Sequence, residues 1–212
     1  VNELLYEHLG KPNYWHLLQR VDRVAGGVMT ITLSKRVALA MQQQQVDRSI
    51  EKTYLVVTEQ TPDVPKARLE HYMKRVGGSQ RFRVFAEKVP GAKSAILEYK
   101  VLQTREKRSL VEVKLITGRT HQIRIHLKHL GHPLFGDPEY GGDKIIKGTT
   151  FSKYKQFIVN CFKTLPRQAL HAKTLGFTHP KTGEWMDFES ELPEDMKEIL
   201  ERWDRYSAGS QR

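Results

Sequence analysis

Cysteine is almost absent from this chain: Cys161 stands alone among 212 residues. That excludes an intrachain disulfide and any metal site built from several thiolates, and it fits a reducing compartment. Long apolar runs are missing too. No stretch approaches the roughly 20 apolar residues that a membrane-spanning helix needs, and residues 1–20 lack the charged-then-apolar order of a secretory signal, so a soluble, cytoplasmic protein is expected. The chain begins with Val1 rather than Met and reads as processed or trimmed. No Pro/Gly-rich linker and no internal repeat interrupts it, and 39% hydrophobic residues over this length supply one substantial core, so residues 1–212 are read as one domain. Acidic residues are in deficit: 24 Asp plus Glu face 35 Lys plus Arg, a formal net charge of +11. Such charge raises the local concentration of a polyanion, which makes nucleic acid the leading partner class and a basic but ordinary soluble enzyme the alternative.

What is present is a set of short strands and three or four helices. Residues 28–33 (VMTITL) are β-branched and follow Gly26-Gly27, which reads as a tight turn feeding a strand. Ser34 then caps a helix over 35–45, with Val37, Leu39, Ala40 and Met41 on its apolar side and the glutamine run 42–45 at its solvated end. Strands are expected at 53–58, 96–102 and 110–116, the last two joined by a charged loop at 104–108. Between 117 and 131 the period changes to 3.6, with Ile123, Leu127 and Leu130 on one face and His121, Arg124 and Lys128 on another, which predicts an amphipathic helix with a basic face. Gly131 and Pro133 stop it, and 136–142 (GDPEYGG) forms a turn-rich loop. A helix at 153–162, a hairpin of 169–178 with 184–189, and a helix from Pro193 to Trp203 complete the reading. Regular strand-helix alternation is absent, so the class is α+β with a mixed sheet.

Two stretches carry chemistry. At 115–127 (LITGRTHQIRIHL) a strand delivers Gly118 and a helix start beside Arg119 and Arg124, where free N–H groups and guanidinium suit an anion; the bland reading is a solvated basic face. At 19–27 (QRVDRVAGG) Asp22 lies between Arg20 and Arg23. Arginine charge beside a carboxylate favours the ionised form that a nucleophile or base needs, whereas a surface ion pair or a turn Asp is the plain alternative. His121, His126, His129 and His132 crowd one segment, but no pair has the i, i+4 spacing of helical zinc ligands, so no metal is expected there. Tyr54, Phe82, Phe85, Trp185 and Trp203 are candidates for stacking on bases, although a strand Tyr such as Tyr54 is more often simply core, and Asp137, a candidate second carboxylate, reads better beside Pro138 as a turn former.

Taken together these stretches resemble the RluA-type family of RNA pseudouridine synthases, the ribosomal large subunit pseudouridine synthase-like enzymes. The resemblance runs from about Leu17 to Leu192 and includes Arg20 to Asp22, Lys52-Thr53-Tyr54, Gly131-His132-Pro133, Gly136-Asp137-Pro138 and Leu170-His171-Ala172; LITGRTHQIRIHLKHLGHPLFGD is its most specific segment. It implies an α+β catalytic domain with a mixed, mostly antiparallel central sheet flanked by helices. It implies an isomerase that converts uridine to pseudouridine in ribosomal or transfer RNA with no cofactor and no metal. The catalytic residues it implies are Asp22, Tyr54 and Arg124: the carboxylate, the ring stacked on the extruded uracil, and the partner of the acid. Arg20 would fill the gap left in the RNA stack, and Arg23, Arg119, Thr120, His121 and Lys128 would bind RNA. Where the family shows H-R-L-D-R-x-T-S-G, this chain has Gln19 for the leading His and Ala25-Gly26 for the Thr-Ser pair. The family's upstream K-P-x-G strand and S4-type RNA-binding domain are not visible, Gly10-Lys11-Pro12 being a poor match, so the chain is expected to begin part-way into the usual fold. The altered acid loop leaves a non-catalytic RNA-binding module as the first rival, and a ribonuclease using His126 or His129 as the second. A monomer is the default state.

Overall fold

The computed structural model describes residues 2–10, 14–77, 82–105, 107–145 and 152–210. In chain order its elements are α1 (Asn2–Leu9), β1 (His16–Leu17), β2 (Gly26–Gly27), β3 (Ile31–Thr32), α2 (Lys35–Val46), β4 (Glu51–Glu59), β5 (Lys66–Arg75), β6 (Phe82–Phe85), β7 (Lys93–Arg105), β8 (Arg108–Leu115), α3 (Gln122–His129), α4 (Ser152–Thr164), β9 (Leu170–Thr178), β10 (Trp185–Glu189) and α5 (Glu194–Ser210). The main sheet has the order β10-β9-β4-β8-β7-β5-β6, with every neighbouring pair antiparallel, and β2 adds a parallel pairing to β9. This is the α+β, mostly antiparallel sheet that the family resemblance implies.

β4 shows why both faces of the sheet are covered. Tyr54 to Glu59 is buried without interruption, as expected for a strand with packing on each side. Successive side chains point to opposite faces. Tyr54 and Val56 pack with Val111, Val113, Ile123 and Leu127, which places α3 on one side. Leu55 and Val57 pack with Phe135, Ile158, Cys161, Met196, Ile199 and Trp203, which places α4 and α5 on the other. Each large apolar side chain buried there contributes about 1.5–3 kcal/mol.

Several local expectations need correction. Gly26-Gly27 is a strand, β2, and not a turn; the turn lies earlier, at Arg23 and Val24, closed by the Ala25 N–H donating to the Asp22 carbonyl at 3.0 Å. Gly27 has φ +119°, and a Cβ there would overlap the Ala172 backbone, so only glycine permits the approach. The strand read at 28–33 shrinks to Ile31–Thr32, which pairs with β1. Ser34 occupies the N-cap of α2 with extended backbone, but its side chain makes no capping bond. On α2 it is Ala38 and Met41 that are buried, whereas Leu39 is 59% exposed. The glutamine run is no idle surface: Gln44 bonds both the N–H and the carbonyl of Thr178, and Gln45 donates to the Leu18 carbonyl at 2.7 Å. The charged loop at 104–108 is shorter than read, because β7 and β8 extend into it on both sides; Glu106 lies outside the described residues, as do Lys11 and Pro12. α3 begins at Gln122 rather than 117, and α1, β5 and β6 have no counterpart in the sequence reading.

Candidate active site

A cleft of about 1000 Å³ opens between the β1–β2 segment, the C-terminal half of α2, β4 and the turn that leads into α3. Asp22 reaches it from the loop between β1 and β2. That loop is anchored downstream where β2 lies against His171 and Ala172, and from within by the Gln168 side chain donating to the Arg23 carbonyl at 2.7 Å. Val24, two residues after the acid, is held at φ +60°. A β-branched residue in the left-handed region is strained, so the surrounding structure over-determines this turn.

Tyr54 enters the cleft from β4 beside a β-bulge. Pairing with β9 slips between Thr53, opposite Thr174, and Tyr54, opposite Ala172, leaving Lys173 as the extra residue. Such a bulge re-aims a side chain at the edge of a site. Burial, with the charge of Asp22 added to it, pushes the Tyr54 phenol up to about 12, so at neutral pH it is a protonated hydroxyl.

Arg124 organises the acids. Its Nη1 donates to Asp22 Oδ2 at 3.4 Å, its Nε and Nη2 make a two-pronged pair with Asp137 at 2.7 and 2.8 Å, and Nη2 also reaches Glu139 at 3.1 Å. The guanidinium carbon lies 4.8 Å over the Tyr140 ring. Burial opposes the Arg124 charge, but the hydrogen bonds and charge of Asp137, then the charges of Asp22 and Glu139, outweigh it and hold its pKa above the ordinary arginine value. Asp137 is completely buried, and its Oδ1 also accepts the backbone N–H groups of Glu139 and Tyr140 at 3.0 and 3.2 Å. The turn former of the sequence reading is therefore also the carboxylate that fixes Arg124. For Arg124, the anion expected at the α3 start is supplied by the protein itself.

The turn before α3 is latched to β7. Gln122 accepts from Thr117 Oγ1 at 2.8 Å and from the Arg119 N–H at 3.0 Å while donating to the Ile96 carbonyl, and Arg119 Nε donates to the Ser94 carbonyl at 2.9 Å. His121, at φ +54°, sets its Nδ1 2.9 Å from the Tyr140 hydroxyl.

The structure thus brings Asp22, Tyr54, Arg20, Arg23, Arg119, Thr120 and His121 to one cleft, with Arg124 against Asp22. Lys128 is exposed on α3 but does not line the cleft. The predicted basic face of α3 is a correction: Gln122 through Leu127 are all buried, Arg124 included. Of the other stacking candidates, Trp203 is buried against Phe135, Trp185 sits exposed on the edge strand β10, and Phe82 and Phe85 are on β6; none lines the cleft. His126 and His129 pack their rings about His71, with centroids 5.2 and 5.3 Å away, and they too stand outside the cleft. Among the described residues no group of His, Cys, Asp and Glu is arranged to hold a metal ion, and no helix is long and apolar enough to cross a membrane. Sequence reasoning missed Asp137, Glu139 and Tyr140 as the setting of Arg124, and Lys52 as a cleft residue.

An α+β sheet here holds one carboxylate and several cations in a shared cleft, and comparison identifies the family. Residues 2–129 match the family model for RNA pseudouridylate synthase, and the chain belongs to that family, as the resemblance to the RluA-type enzymes implies. A Chlorobaculum parvum protein named an uncharacterized RNA pseudouridine synthase is 39% identical over 180 residues, covering 83% of this chain and 54% of that protein. Ribosomal large subunit pseudouridine synthase D of Pseudomonas aeruginosa is 37% identical over 192 residues, covering 87% and 55%. The chain spans about half the length of the curated relatives it matches. Human RNA Pseudouridylate Synthase Domain Containing 4 shares the fold, with a TM-score of 0.71 over 95% of this chain and 81% of that one at 23% identity.

Proposed function

We propose that this chain is an RNA pseudouridine synthase that isomerises uridine in structured ribosomal or transfer RNA, with Asp22 as its catalytic carboxylate. The observation that supports it most is the meeting of Asp22, buried Arg124 and Tyr54 at one cationic cleft. Isomerisation breaks the bond from C1′ to N1, turns the uracil, and joins C5 to C1′; C5 gives up its proton and N1 gains one, so nothing is consumed. Glycoside hydrolysis uses two carboxyls because a leaving oxygen is protonated and water activated. Here the base never departs and water must be kept from it, so a single carboxylate is sufficient.

Arg124, itself immobilised by Asp137, orients the Asp22 carboxylate toward the cleft. Attack on the sugar, attack on the base and removal of a sugar proton all use that carboxylate ionised. Tyr54, held as a neutral phenol, offers a ring face to the extruded uracil. Arg20, exposed at the cleft, fills the space the uridine leaves, offsetting the few kcal/mol of unstacking. Arg23, Arg119, Thr120 and His121 hold the backbone around it, with Lys128 on the flank. The same reading takes the chain as one catalytic domain, monomeric, working without a cofactor in a cytoplasmic setting consistent with its lone cysteine.

The test is to incubate total ribosomal and transfer RNA lacking pseudouridine with the native chain and with Asp22→Asn, without added metal, and to map carbodiimide-dependent reverse-transcription stops. New stops are expected from the native chain, with turnover lower by on the order of 10⁴-fold in Asp22→Asn and RNA retention unchanged. RNA retained by both proteins with stops from neither would reduce the chain to an RNA-binding module.

A further inference from the structure

Lys52 stands on β4 two residues before Tyr54 and lines the same cleft. Lysine is seldom taken out of water without a partner. Here the side chain is half-buried in the wall of the cleft, yet among the described residues no hydrogen bond or ion pair reaches it. The acids nearby are committed elsewhere: Glu51 pairs with Lys114 at 2.7 Å, and Asp22 pairs with Arg124. Burial alone acts on Lys52, lowering its pKa, and no charge pulls it back. Its Nζ lies 3.8 Å from where a Cβ on Gly118 would stand, so it faces the exposed glycine of the turn that carries Arg119 and Thr120. A half-buried cation with no counter-charge of its own is costly, and an anion from outside the chain would supply one.

We infer that Lys52 is a phosphate-binding residue of the cleft, receiving the phosphodiester beside the extruded nucleotide together with the Gly118–Thr120 turn. The inference rests on the RNA reading above and deepens it: Lys52 positions the target nucleotide, whereas Asp22 acts on it. A phosphate fits better than a carboxylate because the site offers a compact ammonium and an exposed hydroxyl, Thr120, rather than a planar fork.

The probe is the trinucleotide ApUpA, intact and with either or both phosphates replaced by neutral methylphosphonate, titrated into the native chain, Lys52→Met and Lys52→Arg. In the native chain one replacement weakens binding about tenfold, the usual scale of a charge-assisted hydrogen bond. Lys52→Met weakens the intact trinucleotide by a similar factor, and the same replacement then costs nothing more. Lys52→Arg keeps most of the affinity. The thermal midpoint of Lys52→Met is no lower than native, because an unpaired charge has been removed; a merely structural lysine would lower it. Equal losses from that replacement in native and Lys52→Met overturn the assignment, as does a native chain that binds ApUpA no better than its doubly neutral analogue. Turnover plays no part in these titrations. Absence of stops in the RNA mapping would therefore remove the isomerase and leave the phosphate site to be judged by its own binding data.

Discussion

Arg124 faces three carboxylates, and only Asp22 among them opens onto the cleft. The other two lie 13 and 15 residues along the chain, in a loop whose Gly-Asp-Pro spelling announces a turn and nothing more. Asp22 itself was legible from its flanking arginines and the family motif, whereas its partner's burial was not, because a basic helix stripe looks the same whether water or an acid covers it. His126 shows the same limit. It is buried beside His71 and His129, and burial in the first place pushes its pKa from 6.5 down to about 4. The unfolded chain then takes up a proton that the folded chain refuses. Stability is full above about pH 6.5 and falls by on the order of 3 kcal/mol as pH drops toward 4. His71, also shifted down by burial, adds in the same direction. Thermal midpoints recorded from pH 7 to pH 4.5 should fall less steeply in His126→Leu than in the native chain, and equal slopes would assign the acid sensitivity elsewhere.

At the scale of elements, β4, β7, β8, β9 and β10 were readable because each carries a β-rich or apolar run that a sheet with covered faces demands. β5 was not: in KARLEHYMKR the two buried apolar residues, Leu69 and Met73, are four apart, and His71 takes the place between them on their face while Tyr72 falls on the other, which blurs the alternation. β2 is two glycines and has no propensity to read; its strand character exists only against β9. Gly27→Ala tests that dependence. The added methyl meets the Ala172 backbone at a φ no alanine adopts easily, with a cost of about 1–3 kcal/mol. Thermal unfolding should record that loss, and pseudouridine formation should fall further than stability does, since the acid loop ends at this strand. Unchanged turnover in a folded Gly27→Ala would show that β2 does not hold Asp22 in place.

For the molecule as a whole, the net charge of +11 points to a polyanion but not to where it would lie. Folding gathers Arg20, Arg23, Arg48, Lys52 and Arg119 around the cleft from three separate stretches of sequence. If all five face phosphates of an unpaired RNA segment, log affinity should fall against log salt with a slope of about −3 to −4. A titration of RNA retention between low and physiological salt measures it, and a slope near zero would mean that the basic cleft is not where RNA binds. The parallel contact of β2 with β9 also has a consequence in time. Asp22 is synthesised long before the strand that anchors its loop, which contains His171 and Ala172. A ribosome has to deliver some 150 further residues before the carboxylate has a fixed address. A nascent chain halted between Arg124 and His171 spells out Asp22, Tyr54 and Arg124 in full and still has no site. The activity proposed here would wait for β9.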